Sequence, residues 1–172
     1  MDAFDDERLR ALLPRLRRFA RSLAGDAASA DDLVQSALER ALRRWHTRRD
    51  DAALQSWLFS ILYRQFVDER RRAARWQRVL TLFVPQQADQ SPSAERVHDG
   101  RALLAAFAQL PAEQRALLLL VAVEGFSYRE AADTLGLPIG TVMSRLSRAR
   151  DRLRTLGEGT TDTATPALRV LK

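Results

Sequence analysis

Apolar residues recur along this chain at intervals of three and four, and no stretch sustains a two-residue alternation. That periodicity predicts helices throughout. Residues 8–24 place Leu9, Leu12, Leu13, Leu16, Phe19, Ala20 and Leu23 on one face, with a kink or restart expected at Pro14. Gly25 and Asp26 break the pattern. Ser29 is expected to cap a second helix running to about Trp45, with Asp31 and Asp32 in its positive first turn. Its inner stripe is Val34, Ala37, Leu38, Ala41, Leu42 and Trp45; Asp31, Asp32, Gln35, Glu39 and Arg43 lie outside. A polar loop over 46–53 follows, where Asp50 or Asp51 can cap a third helix. That helix starts near Leu54, reaches as far as Arg75, and turns Trp57, Leu58, Ile61 and Leu62 inward.

Periodicity is lost over 80–93, where Pro85, Pro92, three Gln and two Ser mark a linker and a domain boundary. Its opening, LTLFV, is apolar enough to pack somewhere. Helix resumes over 99–109 with Leu103, Leu104, Phe107 and Leu110 inside. Pro111 then opens another helix through the apolar run 116–123, the centre of a small bundle that Gly125 ends. From Gly157 on nothing can build a core, which predicts a disordered tail. The expected architecture is all-α: helical domains over 1–78 and 100–156, a linker over 79–99 and a tail over 157–172.

The most informative stretch is GFSYREAADTLGLPIGTVMSRLSRARDRL, residues 125–153. Ser127 with Glu130 three residues later makes a capping box. Ala131, Ala132 and Leu135 face inward on a short helix that Gly136 stops with a positive φ. Pro138 suits the first turn of the next helix. There Val142, Leu146, Ala149 and Leu153 form the buried stripe, leaving Thr141, Ser144, Arg145, Arg148 and Arg152 outside. Such a pair is either an αα-hairpin with a solvated basic face or a helix-turn-helix whose second helix enters the DNA major groove. The coincidence of capping box, Gly/Pro turn and Arg-rich face favours the second.

Charge sharpens this picture. The chain carries +6 overall, and two blocks, 64–78 and 138–154, carry +4 each, so the remaining residues sum to −2. That is a footprint for a polyanion rather than a generally basic surface. In the first block the stripe Phe59, Tyr63, Phe66 runs into DERRRAARWQR, bringing Arg70, Arg71 and Arg72 beside aromatic rings. Rings that stack bases beside arginines that hold phosphates suit single-stranded DNA. Core packing accounts better for Phe59 and Phe66; Tyr63, next to Arg64 and Gln65, is expected to be exposed.

Other chemistry is not indicated. There is no Cys, hence no disulfide or thiolate metal site, and His46 and His98 lie far apart. Asp31/Asp32, Asp50/Asp51 and Asp68/Glu69 each fit a cap or a solvated face, and no Gly-rich phosphate loop or nucleophile–base set appears. No enzyme activity, cofactor, metal or small-molecule substrate is expected. No apolar run approaches the ~20 residues that cross a bilayer, and the acidic start MDAFDDERLR lacks a signal peptide's apolar core. A cytoplasmic protein without membrane insertion is expected.

Three segments in order complete the pattern: ADDLVQSALERALRRW, WLFSILYRQFVDERRR and, after the linker, LPAEQRALLLLVAVEGFSYREAADTLGLPIGTVMSRLSRARDRL. Together, over about 8–156, they resemble an extracytoplasmic-function (ECF) sigma factor, a two-domain specificity subunit of bacterial RNA polymerase. The resemblance implies that Asp31, Asp32, Leu33, Gln35 and Glu39 dock on core polymerase. It implies that Tyr63, Arg64, Gln65, Arg70, Arg71 and Arg72 serve the promoter −10 element, as duplex and as melted strand. It implies that Thr141, Ser144, Arg145, Arg148 and Arg152 serve the −35 element, and that an anti-sigma factor is a partner. Two positions depart from the family's common pattern: Arg64 stands where Asn is frequent, and Met143 where Lys is frequent. A stand-alone helix-turn-helix regulator and a sigma-like decoy that sequesters an anti-sigma factor are the alternatives.

Overall fold

A computed structural model of the chain describes residues 6–45, 53–80 and 100–158. These form seven helices and no strand: α1 (Asp6–Ala24), α2 (Ala27–Arg43), α3 (Leu54–Leu80), α4 (Gly100–Ala108), α5 (Ala112–Ala122), α6 (Tyr128–Leu135) and α7 (Ile139–Glu158). The loop with its Asp50 or Asp51 cap, nearly all of the linker, and the tail from 159 lie outside the described residues.

The N-terminal half packs α1, α2 and α3 on one another, and the C-terminal half packs α4, α5 and α6 around α7 and one another. The halves meet where α1 lies against α5 and α3 against α6. Three rings mark this seam. Phe19 of α1 and Phe59 of α3 have centroids 5.0 Å apart, and Phe59 lies 5.6 Å from Phe126, just ahead of α6. Edge-on and tilted rings at such distances add to the stabilisation that burial alone gives. The core is therefore continuous across the linker.

Several local expectations need correction. α1 runs through Pro14 without restarting. α2 is capped by Asp26, not Ser29: the Asp26 carboxylate accepts from the Ser29 backbone N–H at 2.8 Å. Gly25, at φ 89°, turns the chain just before it. Bonding to Ser29 holds the Asp26 carboxyl below its usual value. Asp31 and Asp32 consequently lie beyond the first turn. α2 ends at Arg43, before Trp45, and α3 continues past Arg75 to Leu80. Leu42 is exposed because the seam follows Ala30, Leu33, Val34, Ala37 and Ala41, and Leu42 falls beside that line. Leu104 is exposed too, since α4 meets the core through Ala106 and, just beyond its end, Leu110.

Candidate nucleic-acid interface

The C-terminal helix pair is built as its sequence requires. Ser127 Oγ accepts from the Glu130 N–H at 3.2 Å, and Glu130 returns the bond by accepting from the Ser127 N–H at 2.7 Å. The Ser127 hydroxyl and its backbone N–H together hold the Glu130 carboxyl below its usual value. Gly136 adopts φ 66°, and the Leu137 N–H donates back to the Ala132 carbonyl at 2.9 Å, closing α6. Pro138 immediately precedes α7, and its carbonyl accepts from Thr141 and Val142. Ala131, Ala132 and Leu135 of α6 and Val142, Leu146 and Ala149 of α7 are buried, as their spacing predicted; Leu153 is half-buried.

What remains outside on α7 is graded. Arg148 and Arg152 are exposed. Thr141 and Ser144 are half-buried, and the Ser144 hydroxyl donates to the Thr141 carbonyl at 3.1 Å. Ile139 and Met143, one turn apart, are exposed apolar side chains at the start of the same helix. Arg145 is different: its guanidinium is paired with Glu113 from the first turn of α5. Sequence reading missed Glu113 because the pairing joins residues 32 positions apart, with no local pattern between them.

On α3, Arg64, Arg70, Arg71 and Arg72 form an exposed basic face that continues to Arg75. Arg70 lies over the Phe66 ring, 5.6 Å from its centroid, a favourable cation–π placement. Gln65 is half-buried and its amide donates to Glu69 at 3.4 Å. Between α2 and α3 an open cleft is lined by Arg40, Arg43, Arg44 and Gln65, with Asp68, Glu69 and Arg72 alongside. Of these arginines at the end of α2 the sequence placed Arg43 outside but gave none of them a role, because a basic last turn is also what a helix dipole favours.

Tyr63 corrects the expectation of exposure: it is 4% exposed. Phe59, Tyr63 and Phe66 fall on one face of α3 that turns toward the C-terminal half, so α3 is covered on two sides. Burial pushes the Tyr63 hydroxyl up; Glu113 adds to this, while Arg145 and Arg70 oppose it. Leu33 is likewise buried, at 2% exposure, because it belongs to the seam of α2 and not to its outer face. Asp31, Asp32, Gln35 and Glu39 are exposed together on that outer face, where the Gln35 amide donates to Glu39 at 3.5 Å and long contacts join Arg17 to Asp31 and Arg43 to Glu39.

Among the described residues no cluster of His, Cys, Asp or Glu could hold a metal ion, and no helix is long and apolar enough to cross a membrane.

Residues 100–153, which span α4 to most of α7, match the family described as Sigma-70, region 4. Residues 9–63 match the Sigma2 domain of PhyR. The ECF RNA polymerase sigma factor EcfG of Rhodopseudomonas palustris is 37% identical over 155 residues, covering 90% of this chain and 85% of that protein. The chain belongs to the ECF sigma factor family. The RNA polymerase sigma-E factor of Streptomyces coelicolor is 36% identical over 87% of this sigma factor and 83% of its own length. A solved relative, the sigma factor RpoE of Bartonella quintana in complex with the anti-sigma factor NepR, superposes with a TM-score of 0.73. It is 34% identical and is matched over 90% of this chain and 97% of its own. The NMR structure of the PhyRSL–NepR complex from Sphingomonas shares the fold, with a TM-score of 0.67 at 19% identity over 96% of each chain. Against this sigma-factor frame, the exposed basic faces of α3 and α7 fall in the two matched regions or immediately after them.

Proposed function

We propose that this sigma factor binds bacterial core RNA polymerase and directs it to promoters with two separated elements. The exposed acidic face of α2, with Asp31, Asp32, Gln35 and Glu39, docks on the polymerase. The arginine face of α3 follows the −10 element and holds the melted strand, where each arginine replaces counterions on a phosphate. The outer face of α7 reads the −35 element, with base-edge contacts supplying specificity and phosphate contacts supplying register. The protein acts by binding and positioning, without catalysis, cofactor or small-molecule substrate of its own. The observation that carries this reading is the pair of arginine faces exposed on two helices on either side of the linker. An anti-sigma factor holds it inactive; support comes from the NepR-bound relative, whose whole length this chain nearly matches.

A second reading is favoured by one observation, the match of residues 9–63 to a domain of PhyR. PhyR of Bartonella quintana was solved as an anti-anti-sigma factor complexed with NepR. A decoy of that kind sequesters an anti-sigma factor and has no use for DNA-facing charge, whereas both blocks here keep +4.

Run-off transcription with core polymerase on a pool of promoter fragments separates the readings. Protein-dependent initiation at a shared two-part motif is expected. Absence of both initiation and core binding would remove the sigma role and leave the decoy or a stand-alone regulator. These two differ in whether the protein alone binds duplex DNA at a specific site.

A further inference from the structure

The end of α7 that would enter a groove first carries no charge. Residues 139–144 read IGTVMS, and the first charged side chain, Arg145, is engaged by Glu113. Polar groups are few there too. Thr141 is half-buried, and the Ser144 hydroxyl gives its proton to the Thr141 carbonyl at 3.1 Å. What this end presents is apolar. Ile139 is 44% exposed and Met143 is 50% exposed. They stand four positions apart, so their Cβ atoms lie about 6 Å from each other on one flank of the helix. Gly140, next to Ile139, is exposed with open space around it and has no side chain to hold a partner off.

Packing fixes this flank in place. Val142, Leu146 and Ala149 are buried, which sets the rotation of α7 about its axis and keeps Ile139 and Met143 in solvent. Farther along the same flank, Arg150 is bonded to the Tyr128 hydroxyl at 3.4 Å, so the nearest cation there is held at α6. A single exposed apolar side chain needs no explanation. Two together, at the leading end of a helix whose later turns expose Arg148 and Arg152, do. The N-terminal residues of such a helix are the ones that meet base edges. In the major groove the apolar group on offer is the C5-methyl of thymine, and the rest of the base-edge pattern is donors and acceptors. Covering those with Ile or Met would leave them unpaired, which is unfavourable.

We propose that Ile139 and Met143 read thymine methyl groups of the −35 element, and that the arginines farther along α7 hold phosphates and the remaining base edges. This rests on the promoter-binding reading above and names what its α7 face selects. A separation of about 6 Å spans between one and two steps of ~3.4 Å along the duplex. The two side chains therefore meet methyl groups on adjacent pairs or on pairs one apart.

The test removes the methyl group and nothing else. Holoenzyme is assembled from the full chain and core polymerase. Its affinity for a promoter is measured with each −35 thymine, on either strand, replaced singly by deoxyuridine. One or two replacements should weaken binding about fourfold, the scale of one buried methyl group, and the others should have no effect. Ile139 and Met143 are exposed, so Ile139→Ala and Met143→Ala leave the core intact. Each should weaken binding to the normal promoter by a similar factor and remove the deoxyuridine penalty at its own thymine. Met143→Leu, which keeps an apolar side chain, should retain that penalty. Binding that ignores every methyl group overturns the proposal, as does a −35 element without thymine on either strand. A penalty undiminished in both alanine variants overturns it too, because another group would then be reading the methyl. Failure to bind any promoter removes the promoter-binding reading and the proposal with it, an outcome distinct from specific binding that is indifferent to methyl groups.

Discussion

At the scale of single residues, the arginines of α7 and α3 divide by what they already touch. Arg148 is exposed and stands clear on α7, whereas Arg145 is paired with Glu113. A reader of base edges contributes ~1–3 kcal/mol of discrimination at one base pair. Arg148→Ala should therefore flatten the preference at one −35 position, seen in binding titrations across single-base promoter variants. A phosphate contact contributes no sequence information but releases about one counterion. Arg71→Ala should thus lower affinity evenly across those variants and reduce the salt slope by ~0.9. Met143 is the converse case, an exposed apolar side chain at the start of α7. Met143→Lys should add a phosphate contact and steepen the same slope by a similar amount. Equal losses for Arg148→Ala and Arg71→Ala at every promoter variant would show that readers and positioners have been wrongly assigned.

At the scale of elements, the helix pair rests on two local devices that can be tested separately. Ser127→Ala removes the acceptor for the Glu130 N–H and should cost about 1 kcal/mol in denaturant unfolding. Gly136→Ala places a Cβ at φ 66° with no neighbouring atom within 4 Å. Its cost is backbone strain alone, ~1–2 kcal/mol, and Gly136→Asn should cost less because Asn tolerates that region. The capping carboxylate also sets a pH dependence. Glu130 is held below its usual 4.5 by its bonds to Ser127. Its contribution is therefore complete above about that pH and fades as the pH falls through the lowered value. Glu130→Gln keeps an acceptor but cannot titrate, so thermal melts of this variant should lose less stability on acidification than the wild type. These features were legible in the sequence because caps, αL glycines and three-to-four spacing are decided within one or two turns. Features decided by distant partners were not. Tyr63 looked exposed beside Arg64 and Gln65, yet it is buried on the side of α3 that faces the C-terminal half; Glu113 had no local reason to pair with Arg145. Leu33 sits inside a polar run and is buried by the turn of α2, and the Asp26 cap replaced Ser29 because Gly25 sets the entry angle.

At the scale of the whole molecule, the continuous core makes a claim about cooperativity that the division into two halves would not suggest. All three tryptophans, Trp45, Trp57 and Trp76, belong to the N-terminal half. Trp45 and Trp57 contact edge-to-face with centroids 6.1 Å apart. Tryptophan fluorescence therefore follows the N-terminal half, while far-ultraviolet circular dichroism follows helices in both. Phe59 lies between Phe19 on its own side and Phe126 on the other, and Glu124 is bonded across the same seam. With the seam intact, neither half can unfold without uncovering apolar surface and an unpaired charge on its neighbour. Urea titration at low salt should accordingly give coincident transitions by the two probes, the mark of two-state behaviour. Phe126→Ala removes the ring that the C-terminal half places on Phe59 while leaving every residue of the N-terminal half in place. It should destabilise the chain by ~3–5 kcal/mol and separate the two curves, the helices of the C-terminal half melting before the tryptophan signal moves. Coincidence that persists in Phe126→Ala would mean that the halves are coupled elsewhere. Separate transitions in the wild-type chain would mean that the seam carries too little energy to join them, and that each half keeps a core of its own.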